Sequence, residues 1–173
     1  ISHQKSSPLG RQSTKSAVLL AALSAKCQLH VRIAIVRGGL KEMSKDYDRI
    51  ILDCPPGLTE TSEQILRNAD IVIVPVIPSP LSERALTNVQ MFLDSSGKKH
   101  APLLPVYTMV DRRRSIHKQG LIRKPKWPVI PMSSAVEHMT SLQQPVGSFA
   151  PRSPAGQAYA HIWRGIEKRL AKK

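Results

Sequence analysis

The stretch Tyr47 to Gly57, YDRIILDCPPG, constrains this chain more than any other. Asp48 to Leu52 reads as a short buried strand, because β-branched Ile50 and Ile51 follow a polar lead-in. The strand stops at Asp53 and meets Cys54-Pro55-Pro56-Gly57. Two prolines fix φ and lack backbone donors, so the strand cannot run on. A carboxylate is thereby held at the carboxyl end of a strand, ahead of a stiff loop. In open α/β sheets that edge is where ligands bind. Alone, an aspartate near proline is more often a turn cap. What raises its standing is the sequel: a second apolar run, Asp70 to Pro75, and then Ser79-Pro80-Leu81-Ser82 opening a helix.

The same alternation continues along the chain. Thr59 to Ala69 predicts a helix capped by Thr59, with Ile65, Leu66 and Ala69 on its buried face. Asp70 to Ile77 is almost wholly apolar, as a central parallel strand should be, with Pro75 near its end. Ser82 to Leu93 is an amphipathic helix, and Leu103 to Val110 a strand that Pro105 weakens or bends. Trp127 to Ile130 predicts a short strand, and Pro131-Met132-Ser133-Ser134 the start of a helix through Glu137. Ala155 to Leu170 is a helix with Tyr159, Ile162, Trp163, Ile166 and Leu170 on one stripe, expected to pack onto the sheet. Upstream, Ala17 to Ala25 predicts a helix from its Ala and Leu content, and Val31 to Val36 a strand. Strands alternating with helices imply an α/β fold, a mostly parallel sheet with helices on both faces.

Composition narrows the partners. The 173 residues fit one domain, 41% hydrophobic, and no apolar run is long enough to span a membrane. Ile1-Ser2-His3 begins no signal peptide and is no initiator start, so the chain is expected to begin inside a longer one. Cys27 and Cys54 show neither metal nor redox spacing and fit a reduced, cytoplasmic protein. The formal charge of +14 predicts attraction to polyanions, nucleic acid or an anionic membrane. Much of it sits in Arg112, Arg113, Arg114, Lys118, Arg123, Lys124 and Lys126, a segment with no acidic residue. Three consecutive arginines are most often a solvated loop. Aromatic content of 4% argues against stacking platforms for RNA. No repeat, metal-ligand spacing or nucleophile elbow is present in the sequence.

With Asp53-Cys54-Pro55-Pro56 after one strand and Ser79-Pro80 after the next, the chain resembles the ParA/MinD family of P-loop ATPases, whose second switch loop reads D-x-P-P. The resemblance is close from Tyr47 to Leu170 and loose over residues 1–36. The family's phosphate loop, K-G-G-x-G-K-[ST]-[ST], would fall on Lys5 to Thr14. Lys5 matches the extra lysine, Gly10 the last glycine, Arg11 stands in the lysine position, and Ser13 and Thr14 supply the hydroxyls. Ser6 and Ser7 replace both other glycines, and Pro8 and Gln12 read as insertions. The family's acidic residue after the next strand is missing, since Val36-Arg37-Gly38 stands there. Relatives usually carry several dozen more residues between the strand at Val31 to Val36 and the one at Asp48 to Leu52. The expectation is one nucleotide-binding domain over residues 1–173, lacking its first strand and part of the region before Tyr47.

That resemblance implies a P-loop NTPase-like three-layer fold and an ATP-dependent, dimerising switch that binds DNA non-specifically in plasmid or chromosome partitioning. The cofactors implied are ATP and Mg²⁺, and the partners a ParB-like adaptor and a second copy. Hydrolysis is implied where the phosphate loop is competent. Asp53 and Lys5 would be catalytic, the first on the Mg²⁺ shell or the attacking water, the second neutralising charge during phosphoryl transfer. Gly10, Arg11, Ser13, Thr14, Asp111, Pro131 and Met132 would hold the nucleotide, with Ser13 and Asp53 toward the metal. Asp53, the 5–14 loop, Asp111 and Pro131-Met132 are predicted along one sheet edge. The seven cations from Arg112 to Lys126 would bind DNA on a nucleoid-associated protein. Two alternatives stay open: a non-hydrolysing DNA-binding remnant, and a MinD-like membrane-associated switch.

Overall fold

The computed structural model describes residues 16–20, 39–53, 60–95, 97 and 100–171, and the chain falls into two compact units, 1–65 and 66–173. In the first unit, β1 (Ser16–Leu20) pairs in parallel with β2 (Arg49–Asp53), from Ser16 opposite Arg49 to Leu20 opposite Asp53 without interruption. β2 begins one residue later than its sequence pattern suggests and ends on Asp53. Residues 39–43 are helical, and the Tyr47 N–H closes onto the Met43 carbonyl at 3.0 Å just before β2.

β1 corrects the helix expected over Ala17 to Ala25. Ala-Val-Leu-Leu has high helix propensity, but a short apolar run fits helix and strand equally well by period. A parallel partner settles the matter, because tertiary pairing overrides a propensity of tenths of a kcal/mol per residue. Residues 21–25, the strand expected at Val31 to Val36 and the switch loop at Cys54 to Thr59 lie outside the described residues.

α1 (Glu60–Asn68) leads toward the second unit, whose sheet has the order β3 (Val72–Val76), β4 (Leu103–Val110), β5 (Val129–Pro131), all parallel. Parallel neighbours need crossovers, and helices supply them. α2 (Pro80–Ser95) joins β3 to β4, and α3 (Ser115–Arg123) joins β4 to β5. α4 (Ser134–Leu142), the single turn α5 (Val146–Phe149) and α6 (Pro154–Leu170) follow.

Among the described residues, both strand prolines fall where no ladder donor is needed. The Val72 N–H reaches toward β4, so Pro75, an odd number of residues on, faces away from it. Tyr107 donates toward β5 at Pro128, so Pro105 faces the same side, two residues before that pairing begins.

The core of this sheet is Val76, Tyr107 and Val110, with Val74, Leu86, Leu121, Trp127 and Val129 packed around them. Each such side chain fully buried contributes about 1.5–3 kcal/mol. α6 packs against β5 through a face that buries Ala155 and Ile166. Its start is fixed by Ser153, whose Oγ accepts the Gly156 N–H at 3.0 Å, and by Pro154 in the first turn. A side chain at position 156 would collide with the carbonyl oxygens of Ala150 and Pro151.

Candidate functional site

Each unit offers a carboxylate at the carboxyl end of a parallel strand. Asp53 ends β2 and is exposed. A Mg²⁺ takes one or two carboxylates when phosphates and water complete its octahedron. Asp53 is the donor type such a site requires. Among the described residues, no group of three or more His, Cys, Asp or Glu could hold a metal by itself. Lys5, Gly10, Arg11, Ser13 and Thr14 lie outside the described residues.

In the second unit, the structure brings Asp111, Pro131 and Met132 together. Asp111 follows the last residue of β4, Pro131 closes β5, and the Met132 N–H donates to the Val110 carbonyl at 3.1 Å. β4 reaches this edge with an extra residue. Tyr107 pairs with Val129 and Val110 with Pro131, three steps against two, and Met109 absorbs the difference at φ 53°. Such a bulge bends the strand and re-aims the residues beyond it.

The Asp111 carboxylate is already engaged. Its Oδ1 accepts the Arg113 backbone N–H at 2.9 Å and the Arg113 Nε at 3.0 Å, while Oδ2 accepts Nη2 at 2.9 Å. The guanidinium, and then that backbone N–H, hold the carboxyl down at about 2. The Asp111 N–H donates to Nδ1 of buried His117 at 3.0 Å, so the ring carries its own proton on Nε2. The turn is thus fastened from both sides.

Reading the residues missed α3, as it missed the single turn α5 and the short helix at 39–43. A run of cations reads as loop, yet Ile116, Leu121 and Pro125 just past the end were a helix signal. Its buried side is His117 and Gly120. Gly120 is needed for close approach, since a Cβ there would come 2.9 Å from the Pro78 Cβ. Tyr107, fully buried, donates its hydroxyl to Glu83 Oε1 of α2 at 2.8 Å and lies 3.3 Å from the Gly120 carbonyl. Arg123 Nη2 donates to the same Oε1 at 2.8 Å. Burial raises the Glu83 carboxyl, but the bonds from Arg123 and Tyr107 outweigh it and the net direction is down. Burial, then the carboxylate, push the Tyr107 hydroxyl up. Tyr107 also meets Trp127, ring centroids 4.9 Å apart, and Lys124 Nζ lies 5.6 Å from the Trp127 ring.

The seven cations are therefore unequal. All are exposed. Arg113 and Arg123 carry ion pairs, and Lys124 lies over an aromatic ring. Among the described residues Arg112, Arg114, Lys118 and Lys126 make no ion pair.

Comparison with known proteins places this geometry. A family model described as an AAA domain matches residues 13–104, just over half of the 173. The chain is 28% identical over 156 residues to the chromosome-partitioning ATPase Soj of Thermus thermophilus, covering 81% of this chain and 61% of that protein. It is 26% identical over 145 residues to the chromosome partitioning protein ParA of Myxococcus xanthus, covering 78% and 51%. The chain thus spans about half to three-fifths of these relatives. The septum site-determining protein MinD of Pyrococcus horikoshii, solved in complex with Mg-ADP, superposes with a TM-score of 0.63 at 21% identity, covering 80% of this chain and 58% of that one. That likeness shows the parallel α/β fold of P-loop NTPases.

Proposed function

Since the chain belongs to the AAA domain family, as a ParA/MinD-type P-loop ATPase by kind, we propose that it serves a Mg-ATP-dependent, dimerising switch that holds DNA non-specifically during partitioning. The observation that carries the reading is the exposed basic segment from Arg112 to Lys126, fastened to the strand edge that also presents Asp111. In the second unit, Asp111, Pro131 and Met132 would take the base of a nucleotide. The resemblance assigns its phosphates to Lys5, Gly10, Arg11, Ser13 and Thr14. Ser13 and Asp53 would hold the Mg²⁺, which shields phosphate charge when bound. Asp53, exposed at its strand end, has room to orient a water molecule. A ParB-like adaptor, an ATP-dependent second copy and nucleoid association complete the proposal.

The DNA surface would read phosphates and no bases. Its working groups are Arg112, Arg114, Lys118 and Lys126, which have no carboxylate to satisfy them among the described residues. Duplex affinity should be indifferent to sequence and fall with salt by a log–log slope of about 0.9 per phosphate contacted. Replacing Arg112, Arg114 and Lys118 by alanine should weaken all duplexes alike and flatten the slope by about 0.9 for each group lost. A strong preference for one sequence, or binding insensitive to salt, defeats this half of the reading. For the other half, Mg-ATP at 100 times its Kd should raise unfolding stability by about 2.7 kcal/mol. Stability unmoved by millimolar Mg-ATP would leave a DNA-binding remnant in its place.

A further inference from the structure

The joint between α2 and β4 is built around one histidine. Leu93, fully buried, anchors the last turn of α2. Gly97 closes the helix end at φ 62°, its N–H donating to the Asp94 carbonyl at 3.1 Å. That last turn holds Asp94 and no basic residue. A carboxylate at the negative end of a helix dipole is unfavourable unless a cation stands beside it. His100 occupies that place. Its Nε2 lies 3.0 Å from Asp94 Oδ1, and its Nδ1 lies 2.8 Å from the Ala101 carbonyl oxygen. Both partners are pure acceptors, and a neutral imidazole has one proton to give. In the neutral form one ring lone pair would face an oxygen, whereas the imidazolium donates to both. We propose that His100 is a proton-operated clasp, which as imidazolium joins the end of α2 to the start of β4 and opens when it loses a proton.

The clasp sits where several elements converge. Ala101 is buried, and its N–H donates to the Leu66 carbonyl of α1 at 3.2 Å. One residue on, the Pro102 carbonyl accepts the Val72 N–H at 3.1 Å, where the pairing of β3 with β4 begins. The His100 side chain is only 21% exposed. The Ala101 carbonyl, then the Asp94 carboxylate, raise the ring above its ordinary 6.5, against burial and the charge of Arg67 in α1. β3 holds no titratable residue, and the one in β4, Tyr107, is bound to Glu83. Lys98 and Lys99 adjoin the ring in sequence and are of the opposing sign to Asp94. Histidine is the side chain whose charge changes nearest neutrality, so this joint responds there. Because the folded value is raised, the stabilisation is complete below pH 6.5 and is lost as pH rises through the folded value.

The test is an NMR titration of the histidine Cε1–H resonances of the whole chain from pH 5 to 9. The sequence has six histidines, and His100→Gln assigns the signal by deleting one. Its midpoint should lie above 6.5. Asp94→Asn, at a side chain 60% exposed, should shift that midpoint down with the chain still folded. In urea, the native chain should be more stable than His100→Gln at pH 6, and the gap should narrow as pH rises to 9. A midpoint at or below 6.5, a midpoint that Asp94→Asn leaves in place, or a gap that stays constant with pH overturns the clasp. If His100→Gln fails to fold, Asp94→Asn still identifies the resonance as the one it moves, and the first two outcomes decide.

Discussion

Asp53 and Asp111 both end parallel strands, yet the backbone delivers them in different ways. β2 runs in unbroken register with β1 and leaves Asp53 exposed at its tip. β4 takes an extra residue at Met109 before Asp111, and that carboxylate is bound at once by Arg113. His117, Tyr107 and Glu83 then tie the following helix to the strand and to α2. One carboxylate is exposed at its strand end, and the other is bound into the turn that displays the cations. Equivalent positions in a parallel sheet therefore do not imply equivalent roles.

The largest expected difference lies in stability. Tyr107→Ala removes a fully buried ring from the core and should cost about 3–5 kcal/mol, read from urea midpoints. Asp53→Ala, at an exposed strand end, should stay within about 0.5 kcal/mol. The proposed role predicts that it nevertheless abolishes ATP hydrolysis while ATP binding persists. A stability loss at Asp53 comparable with that at Tyr107 would break the contrast. The bulge comes next. Met109→Gly relieves a side chain at positive φ and should stabilise by about 1 kcal/mol, whereas β-branched Met109→Val should destabilise by at least as much. Gains from both would mean that the bulge carries no strain.

How much was legible in the sequence depends on the range of each signal. β3, β4, β5, α1, α2, α4 and α6 were legible because each apolar pattern is contained in its own residues. Asp53 was legible because two prolines stop its strand. β1 was misread because five apolar residues do not distinguish helix from strand without knowing the partner. α3 was hidden by its cations. Its fastening was invisible for another reason: Tyr107 and Glu83 are 24 positions apart, and no local period links them. The pairing of Arg113 with Asp111 was close in sequence, but nothing in a D-R-R-R run says which arginine the carboxylate takes.

That choice yields the smallest effect and the sharpest separation. The Asp111 carboxyl is depressed from 3.8 to about 2. Its contribution to folding is present above pH 4 and is lost as pH falls through about 2, so in ordinary buffers the pair stays closed. The Arg113 charge is then offset by Asp111, while Arg112 and Arg114 have no carboxylate partner among the described residues. On duplex DNA, Arg113→Ala should leave the salt slope almost unchanged, and Arg112→Ala should lower it by about 0.9. Asp111→Asn releases Arg113 and should raise the slope by about 0.9, which makes affinity fall about three- to fourfold further between 50 and 200 mM salt. If Arg113→Ala lowers the slope as much as Arg112→Ala does, Arg113 binds phosphate despite its partner, and the distinction between the two arginines fails. If none of the proteins binds duplex, the DNA reading fails first, and acid titration of the folded chain still tests the Asp111 pair.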